Sequence, residues 1–242
     1  MAELFQRPAT MAAALMERAS KHPELLALRF LSVVDANAEI SYGQLDLLAR
    51  KLAAALAHLE KGSRVVLLLP SGPEYVASFF GCLYAGMIAV PAYPPESTRE
   101  QHLQRLLSII ADAQPSAILT VGLLAQAMPD NFRDNKYFPP VLVVEELLER
   151  ALEGNATTPP EPHAIAFLQY TSGSTSTPKG VQVSHANLEA NEWLIRQGYG
   201  IDDDDVIVSW LPLYHDMGLI GGLLQGIYSG VPVILMSPQY FL

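Results

Sequence analysis

Residues 64–95 read RVVLLLPSGPEYVASFFGCLYAGMIAVPAYPP, and this stretch decides the fold class. It opens with RVVLLLP (64–70), an apolar run with the length of a buried strand. A second apolar run, IAVPAYPP (88–95), ends on prolines, which break a strand. Between the two runs, PEYVASFFGCLYAG (73–86) starts with a proline, as the first turn of a helix often does. The stretch therefore predicts a strand, a helix and a second strand, the repeating unit of a parallel sheet.

The same alternation continues on both sides of this unit. Ser41 and Gln44 form a capping-box pattern ahead of one helix, and Ser184 is placed to cap another. The predicted helices lie at 10–21, 45–59, 73–86, 99–113, 122–128 and 184–197, and a further glycine-rich helix begins near Asp216. The predicted strands lie at 26–34, 64–70, 88–95, 118–121, 141–144, 164–170, 181–183, 206–210 and 233–235. This order predicts an α/β fold with mainly parallel sheets flanked by helices.

A polar, proline-rich break, EGNATTPPEPH, covers residues 153–163 and has no apolar periodicity. We therefore expect a first α/β subdomain at 1–160 and a second subdomain at 161–242. The sequence ends in SPQYFL directly after a predicted strand, without a closing helix. For that reason we expect the second subdomain to be truncated.

Composition excludes several classes of protein. Half of the 242 residues are apolar and 17% are charged, which predicts a folded chain. The 15 basic residues are scattered and outnumbered by 25 acidic ones, giving a formal charge of −10 that argues against a nucleic-acid partner. A single cysteine, Cys82, cannot form an internal disulfide, and charges interrupt the apolar runs near the N-terminus. We therefore expect a cytoplasmic protein.

One uncharged segment has to be compared with a membrane-spanning helix. Residues 217–236 carry no charge, and Gly222, Gly226 and Gly230 recur at the spacing of membrane helix dimers. However, the segment contains five glycines and Pro232, which make a poor continuous helix. A buried helix followed by a buried strand is the better interpretation, so we expect no membrane span.

The loop TSGSTSTPKG (171–180) follows a predicted strand and is rich in hydroxyl groups. Backbone N–H groups and hydroxyls can donate to phosphate oxygens, glycine allows close approach, and the ammonium group of Lys179 supplies positive charge. The loop is not a Walker motif, because Pro178 precedes the lysine and Gly180 follows it. The pattern predicts polyphosphate binding, and a flexible Ser/Thr linker is the alternative.

A second candidate, His215, lies in LPLYHDMGLIGG (211–222), just after a predicted strand. Ligands in open α/β sheets bind beyond the carboxyl ends of the strands. Asp216 stands at the predicted start of the next helix, where a carboxylate complements the helix dipole. His215 is therefore a candidate binding residue, and a structural histidine is the alternative.

Other chemistries have less support. The six histidines show no paired ligand spacing, so we predict no metal site built from protein side chains. The acidic run IDDDDV (201–206) lacks the ligand spacing and glycine of an EF-hand and predicts a solvated turn. No G-x-S-x-G elbow is present, and the glycines at 198 and 200 lack the third glycine of a dinucleotide fingerprint.

The two motifs, in this order and about thirty residues apart, resemble those of the adenylate-forming superfamily of acyl-CoA synthetases, nonribosomal-peptide adenylation domains and luciferases. Most of that superfamily has glycine at the position of Ser176, whereas fatty acyl-AMP ligases tolerate other residues there. VPAYPP (90–95), VSHANL (183–188) and residues 209–238 also resemble the fatty acyl-AMP ligases. The resemblance implies part of the large N-terminal domain of such an enzyme.

The resemblance also implies a role for each motif. Residues of the loop would hold the β- and γ-phosphates of ATP with Mg²⁺: Thr171, Ser172, Gly173, Ser174, Thr175 and Lys179. His215 would be the catalytic residue beside the acyl carboxylate and the α-phosphate. Together with His215, the start of the acyl site would be lined by Met217, Gly218, Gly221 and Gly222.

The implied reaction joins a fatty acid to AMP and passes the acyl group to the phosphopantetheine thiol of an acyl carrier protein. A fatty acyl-CoA ligase is the nearest alternative, and a nonribosomal-peptide adenylation domain is a weaker one. The family's adenine-binding segment and the catalytic lysine of its C-terminal domain have no counterpart in this sequence. We therefore expect the 242-residue chain alone to be inactive, and a non-catalytic fragment that only folds or binds is a further alternative.

Overall fold

A computed structural model describes residues 5–32, 37–94, 100–128, 138–150, 158–171 and 178–241. Its strands are β1 (Leu26–Leu31), β2 (Ala38–Ser41), β3 (Arg64–Leu68), β4 (Ile88–Pro91), β5 (Ala117–Thr120), β6 (Val141–Val143), β7 (Ile165–Thr171), β8 (Lys179–Ser184), β9 (Ile207–Ser209) and β10 (Val233–Met236). Its α-helices are α1 (Met11–Lys21), α2 (Tyr42–Leu56), α3 (Pro73–Ala85), α4 (Glu100–Ala113), α5 (Gly122–Ala127), α6 (Val144–Glu149), α7 (His185–Tyr199), α8 (Gln225–Ser229) and α9 (Pro238–Phe241). A π-helix, Met217–Leu224, precedes α8.

The chain forms two compact units, each discontinuous in sequence. The first unit comprises Met1–Leu47, Pro159–Ala164 and Ser184–Leu242, and the second comprises Leu48–Thr158 and Ile165–Val183. The sequence-based boundary between residues 160 and 161 stays a prediction.

The second unit contains a six-stranded sheet in the order β6-β5-β3-β4-β7-β8. The pairs β3/β4, β3/β5, β5/β6 and β4/β7 are all parallel. The central strand β3 is buried from Val65 to Leu68, and α3 is buried from Tyr75 to Tyr84. This confirms the strand–helix–strand unit predicted for residues 64–95, although β4 ends at Pro91 rather than at Pro95.

The first unit contains a four-stranded sheet in the order β2-β1-β10-β9. Strand β10 is parallel to both β1 and β9, whereas β2 is antiparallel to β1. Strand β2 and helix α6 were not predicted, because segments of four and six residues carry too little periodicity. The expectation of no helix after the last strand was wrong, since α9 follows β10.

Two predicted helix caps are confirmed. The Ser41 N–H donates to Gln44 Oε1 (2.8 Å), and the Gln44 N–H donates to Ser41 Oγ (3.2 Å). Ser184 and Asn187 form the same reciprocal pair at the start of α7, with both bonds at 3.1 Å. Each pair satisfies backbone N–H groups that have no partner within the helix.

Three glycines of the uncharged segment 217–236 allow close packing inside the first unit. A Cβ atom would lie 2.2 Å from the Pro212 carbonyl oxygen at Gly218, 3.0 Å from Ser209 Oγ at Gly222, and 2.1 Å from Val233 Cγ2 at Gly226. Glycines at four-residue intervals thus let the π-helix lie against β9 and the turn that follows it, and let α8 lie against β10. Within the described ranges, no helix has the length and apolar character needed to cross a membrane.

Candidate active site

The two ends of the hydroxyl-rich loop are placed by neighbouring strands. Thr171 is the last residue of β7 and Lys179 is the first residue of β8, and both are exposed. Because β7 is parallel to β4, Thr171 lies at the carboxyl edge of the sheet, where α/β proteins bind ligands. The other predicted phosphate-binding residues, Ser172, Gly173, Ser174 and Thr175, lie outside the described residues.

Lys179 carries a positive charge at the start of β8, the strand next to β7. No ion pair or hydrogen bond to its side chain is formed by another residue in the described ranges. An exposed ammonium group beside a hydroxyl-rich segment can neutralise phosphate charge without first breaking an internal pair. Thr171 and Lys179 therefore fit a phosphate group.

Tyr170, next to Thr171, makes contacts that the sequence did not reveal. Its hydroxyl group donates to Asp112 Oδ2 on α4 at 2.5 Å. Its ring also lies against Gly180, where an added Cβ atom would be only 2.9 Å from Tyr170 Cζ. Asp112 is 58 residues away in the sequence, so no local pattern pointed to this pairing.

His215 lies in the first unit, in the turn between β9 and the π-helix. Its N–H donates to the Pro212 carbonyl (3.1 Å), and its carbonyl accepts from the Leu219 N–H (2.9 Å). The ring is exposed and its centroid is 4.9 Å from that of Tyr214. The strand β9 is parallel to β10 and ends at Ser209, so His215 lies six residues beyond the carboxyl end of a parallel strand and not, as had been predicted, at that end. Its role with a ligand stays a prediction.

Asp216 starts the π-helix, in agreement with the sequence. Its Oδ1 accepts a hydrogen bond of 2.8 Å from the Met217 N–H. At the other end, the Gln225 N–H donates to the Ile220 carbonyl five residues earlier, which is the π-helical step. Such helices are rare and often occur at functional sites.

The predicted acyl-site residues differ in what surrounds them. Met217 is 66% exposed, and a Cβ atom at Gly221 would meet nothing within 4 Å. By contrast, Gly218 and Gly222 are needed for packing, as described above. The open side of this helix is therefore at Met217 and Gly221, and the acyl role of all four residues stays a prediction.

A buried carboxyl group lies next to Gln225, the residue that directly follows the π-helix. Glu192 on α7 has no exposed surface, and burial raises its pKa to about 9. We assign the Gln225 amide with its nitrogen towards Glu192, where it donates to Glu192 Oε2 (2.7 Å) and to the Glu192 carbonyl (3.0 Å). The other carboxyl oxygen, Oε1, has no hydrogen-bond partner among the described residues.

The acidic run at residues 202–205 forms an exposed turn. Asp202 N–H donates to Asp205 Oδ2 (2.9 Å), and Asp204 N–H donates to Asp202 Oδ1 (3.0 Å). In the part of the chain that is described, no three His, Cys, Asp or Glu side chains are grouped so that they could hold a metal ion.

Comparison with known proteins places these features in a family. The AMP-binding enzyme family matches residues 15–241. JamA of Moorena producens (strain JHB), a medium-chain-fatty-acid–[acyl-carrier-protein] ligase, is 40% identical over 207 residues, covering 84% of this chain and 35% of JamA. FadD21 of Mycobacterium tuberculosis (strain H37Rv), provisionally named a fatty-acid–CoA ligase, is 39% identical over 195 residues, covering 76% of this chain and 33% of FadD21.

This chain is also similar to a solved structure of a fatty acyl-adenylate ligase. The crystal structure of a fatty acyl-adenylate ligase from L. pneumophila, in complex with acyl adenylate and pyrophosphate, matches with a TM-score of 0.86 and 36% identity. The match covers 96% of this chain and 40% of that one. This chain spans about a third of the length of the two curated relatives named above. Since the family match extends over nearly all of its residues, the chain belongs to the AMP-binding enzyme family.

Proposed function

We propose that this chain is the N-terminal part of an ATP-dependent fatty acyl-AMP ligase. The observation that carries the proposal is the pair of exposed residues at the two ends of the hydroxyl-rich loop: Thr171 ends β7, a strand parallel to β4, and Lys179 begins the neighbouring strand β8. The names of JamA and of the L. pneumophila enzyme support fatty-acid adenylation.

The proposed chemistry is attack of a fatty-acid carboxylate on the α-phosphorus of ATP with Mg²⁺, with pyrophosphate as the leaving group. In this chain, the hydroxyl group of Thr171 and the ammonium group of Lys179 would bind the β- and γ-phosphates. Ser172, Gly173, Ser174 and Thr175 would donate further hydrogen bonds to them. Such donors act by orienting the reactants and neutralising charge, which is how most phosphoryl-transfer sites work.

His215 would bind between the acyl carboxylate and the α-phosphate. Its imidazole ring is exposed and forms no hydrogen bond with another described residue, while its main chain forms the hydrogen bonds of the turn. Met217 and Gly221 would line the start of the acyl site on the open side of the π-helix, with Gly218 and Gly222 behind them.

We propose an acyl carrier protein as the acceptor of the acyl group, in line with the name of JamA. Coenzyme A is the second candidate, because FadD21 carries a provisional name of that kind. A cytoplasmic location is also proposed, on the basis of the single, buried and unpaired Cys82.

The test uses a full-length enzyme that carries this chain, with ATP–pyrophosphate exchange measured across fatty acids of increasing length. We expect Lys179→Ala to lower exchange by about a hundredfold, the effect of one lost electrostatic donor, without lowering the thermal midpoint. Lys61→Ala is the matched control, since Lys61 is an exposed lysine of the same unit, just before the amino end of β3.

Equal exchange by the Lys179→Ala and Lys61→Ala proteins would exclude the phosphate role of Lys179. The 242-residue chain alone is expected to release no pyrophosphate and serves as a further control. Transfer of the acyl group is then compared between a holo acyl carrier protein and coenzyme A. Faster transfer to coenzyme A would replace the first acceptor by the second.

A further inference from the structure

The ring of Tyr170 is fixed by the core of the second unit. Tyr170 is 6% exposed and belongs to a cluster of buried side chains that includes Val66 and Leu68 of β3 and Leu106 and Ile109 of α4. A ring packed against a strand and a helix has few rotamers available. The hydroxyl group therefore has a defined position, at the side of the cluster nearest to the end of α4.

The partner of that hydroxyl group is fixed as well. Asp112 lies in the last turn of α4 and accepts the hydrogen bond at 2.5 Å. Next to it, Arg64 Nε donates to the Ala113 carbonyl (2.6 Å) and Arg64 Nη2 donates to the Gln114 carbonyl (3.3 Å), so the end of this helix is anchored to β3. Burial and the neighbouring Asp112 carboxylate raise the pKa of Tyr170, which keeps the phenol protonated as a donor.

The same ring determines how close the backbone of β8 can lie. At Gly180, an added Cβ atom would be 2.9 Å from Tyr170 Cζ and 3.1 Å from the Tyr170 hydroxyl oxygen. Only a residue without a side chain allows this approach. Tyr170 immediately precedes Thr171, and Gly180 immediately follows Lys179, so one contact controls both ends of the loop.

We propose that Asp112, Tyr170 and Gly180 form a clasp that sets the distance between Thr171 and Lys179, so that both can bind the same polyphosphate. Tyr170 and Asp112 are positioning residues, because they act through Thr171 and Lys179. This inference rests on the proposed function. The hydrogen bond is charge-assisted, and such bonds are stronger than neutral ones. Its loss should raise the KM for ATP by about tenfold and leave the KM for the fatty acid unchanged.

The experiment compares Tyr170→Phe, Asp112→Ala, Asp112→Asn and the double variant Tyr170→Phe/Asp112→Ala in the full-length enzyme. We expect Tyr170→Phe and Asp112→Ala to raise the KM for ATP equally, and the double variant to be no worse than either. Asp112→Asn should retain most of the affinity, since its amide oxygen can still accept from the tyrosine. Tyr228→Phe is the matched control, because it removes a hydroxyl group that donates to another carboxylate, that of Glu189 (2.9 Å).

Hydrogen exchange of the backbone amides of β8 provides a readout that is independent of activity. Faster exchange at residues 179–183 in Tyr170→Phe, but not in Tyr228→Phe, would support the clasp even if the unsubstituted enzyme had no adenylation activity. That combination would reject the proposed function alone. Unchanged exchange, or additive effects of the two clasp substitutions on the KM for ATP, would overturn the clasp.

Discussion

The substitutions Gly221→Ala and Gly218→Ala should change the stability of this protein in opposite directions. The two glycines lie three residues apart in the same π-helix, Met217–Leu224. A Cβ atom at Gly221 would meet no atom within 4 Å. A Cβ atom at Gly218 would lie 2.2 Å from the Pro212 carbonyl oxygen and 2.8 Å from the Leu211 carbonyl oxygen.

The expected magnitudes follow from these distances. Replacing an open helical glycine by alanine removes chain entropy from the unfolded state and stabilises by about 1 kcal/mol. At Gly218 the obstructing atoms belong to the backbone, so the chain itself must move, and overpacking of this kind costs about 1–3 kcal/mol. The two variants should therefore differ by about 3 kcal/mol, or roughly 6–12 °C in thermal midpoint for a chain of this size.

The assay is differential scanning calorimetry of both variants and the unsubstituted protein, in one buffer and at one concentration. Gly221→Ala should melt slightly higher than the unsubstituted protein, and Gly218→Ala should melt clearly lower. If Gly218→Ala melted at or above the midpoint of Gly221→Ala, the argument that glycine permits close backbone approach at this helix would be refuted.

Two further predictions concern the same part of the first unit. Glu192→Gln should stabilise the protein increasingly as pH rises. The folded-state pKa of Glu192 is about 9, above the ordinary value of 4.5. The contribution of Glu192 to the free energy of unfolding is therefore fully present below pH 4.5 and is lost as pH rises towards 9. The gain in unfolding free energy should be at most about 3 kcal/mol at pH 7 and absent near pH 4, and an equal gain at both pH values in urea titrations would contradict it. Gly221→Trp should lower the activity of the full-length enzyme on palmitate more than on octanoate, because the added ring would fill the open side of the π-helix. Gly198→Trp is the control, since Gly198 is another helical glycine with open space around it, and an equal loss on both acids would argue against an acyl site at Gly221.

Local sequence patterns were sufficient for most of the fold. The apolar run at 64–70 is long enough to be a strand buried on both faces, and β3 is one. The pairing of Ser41 with Gln44, and the position of Ser184 at a helix start, follow from backbone N–H groups that need partners within a few residues. Asp216 was placed at a helix start because a carboxylate there complements the helix dipole, and the structure confirms that position. These features were predictable because both partners in each interaction are close in the chain.

The candidate site was predictable only as residue types. Thr171 and Lys179 were predicted to lie at the ends of a phosphate-binding loop because the residues of that loop are contiguous in the sequence, and this role stays a prediction. The resemblance to fatty acyl-AMP ligases implied that Gly218, Gly221 and Gly222 lie together in one acyl site, which stays a prediction. Their surroundings differ, because Gly218 and Gly222 face backbone or side chains of the first unit and Gly221 faces open space.

The sequence by itself determined the alternation of helices and strands and the capping residues, since each depends on neighbours within a turn or a strand. Only the tertiary structure decided that Glu192, in a helix of polar character, is buried against Gln225, and that Tyr170 binds Asp112 from a distance of 58 residues. Strand β2 likewise exists because β1 offers it an antiparallel edge. In each case the partner is brought close by the path of the chain through the sheet, and the energy of burial or pairing arises only once that partner is there.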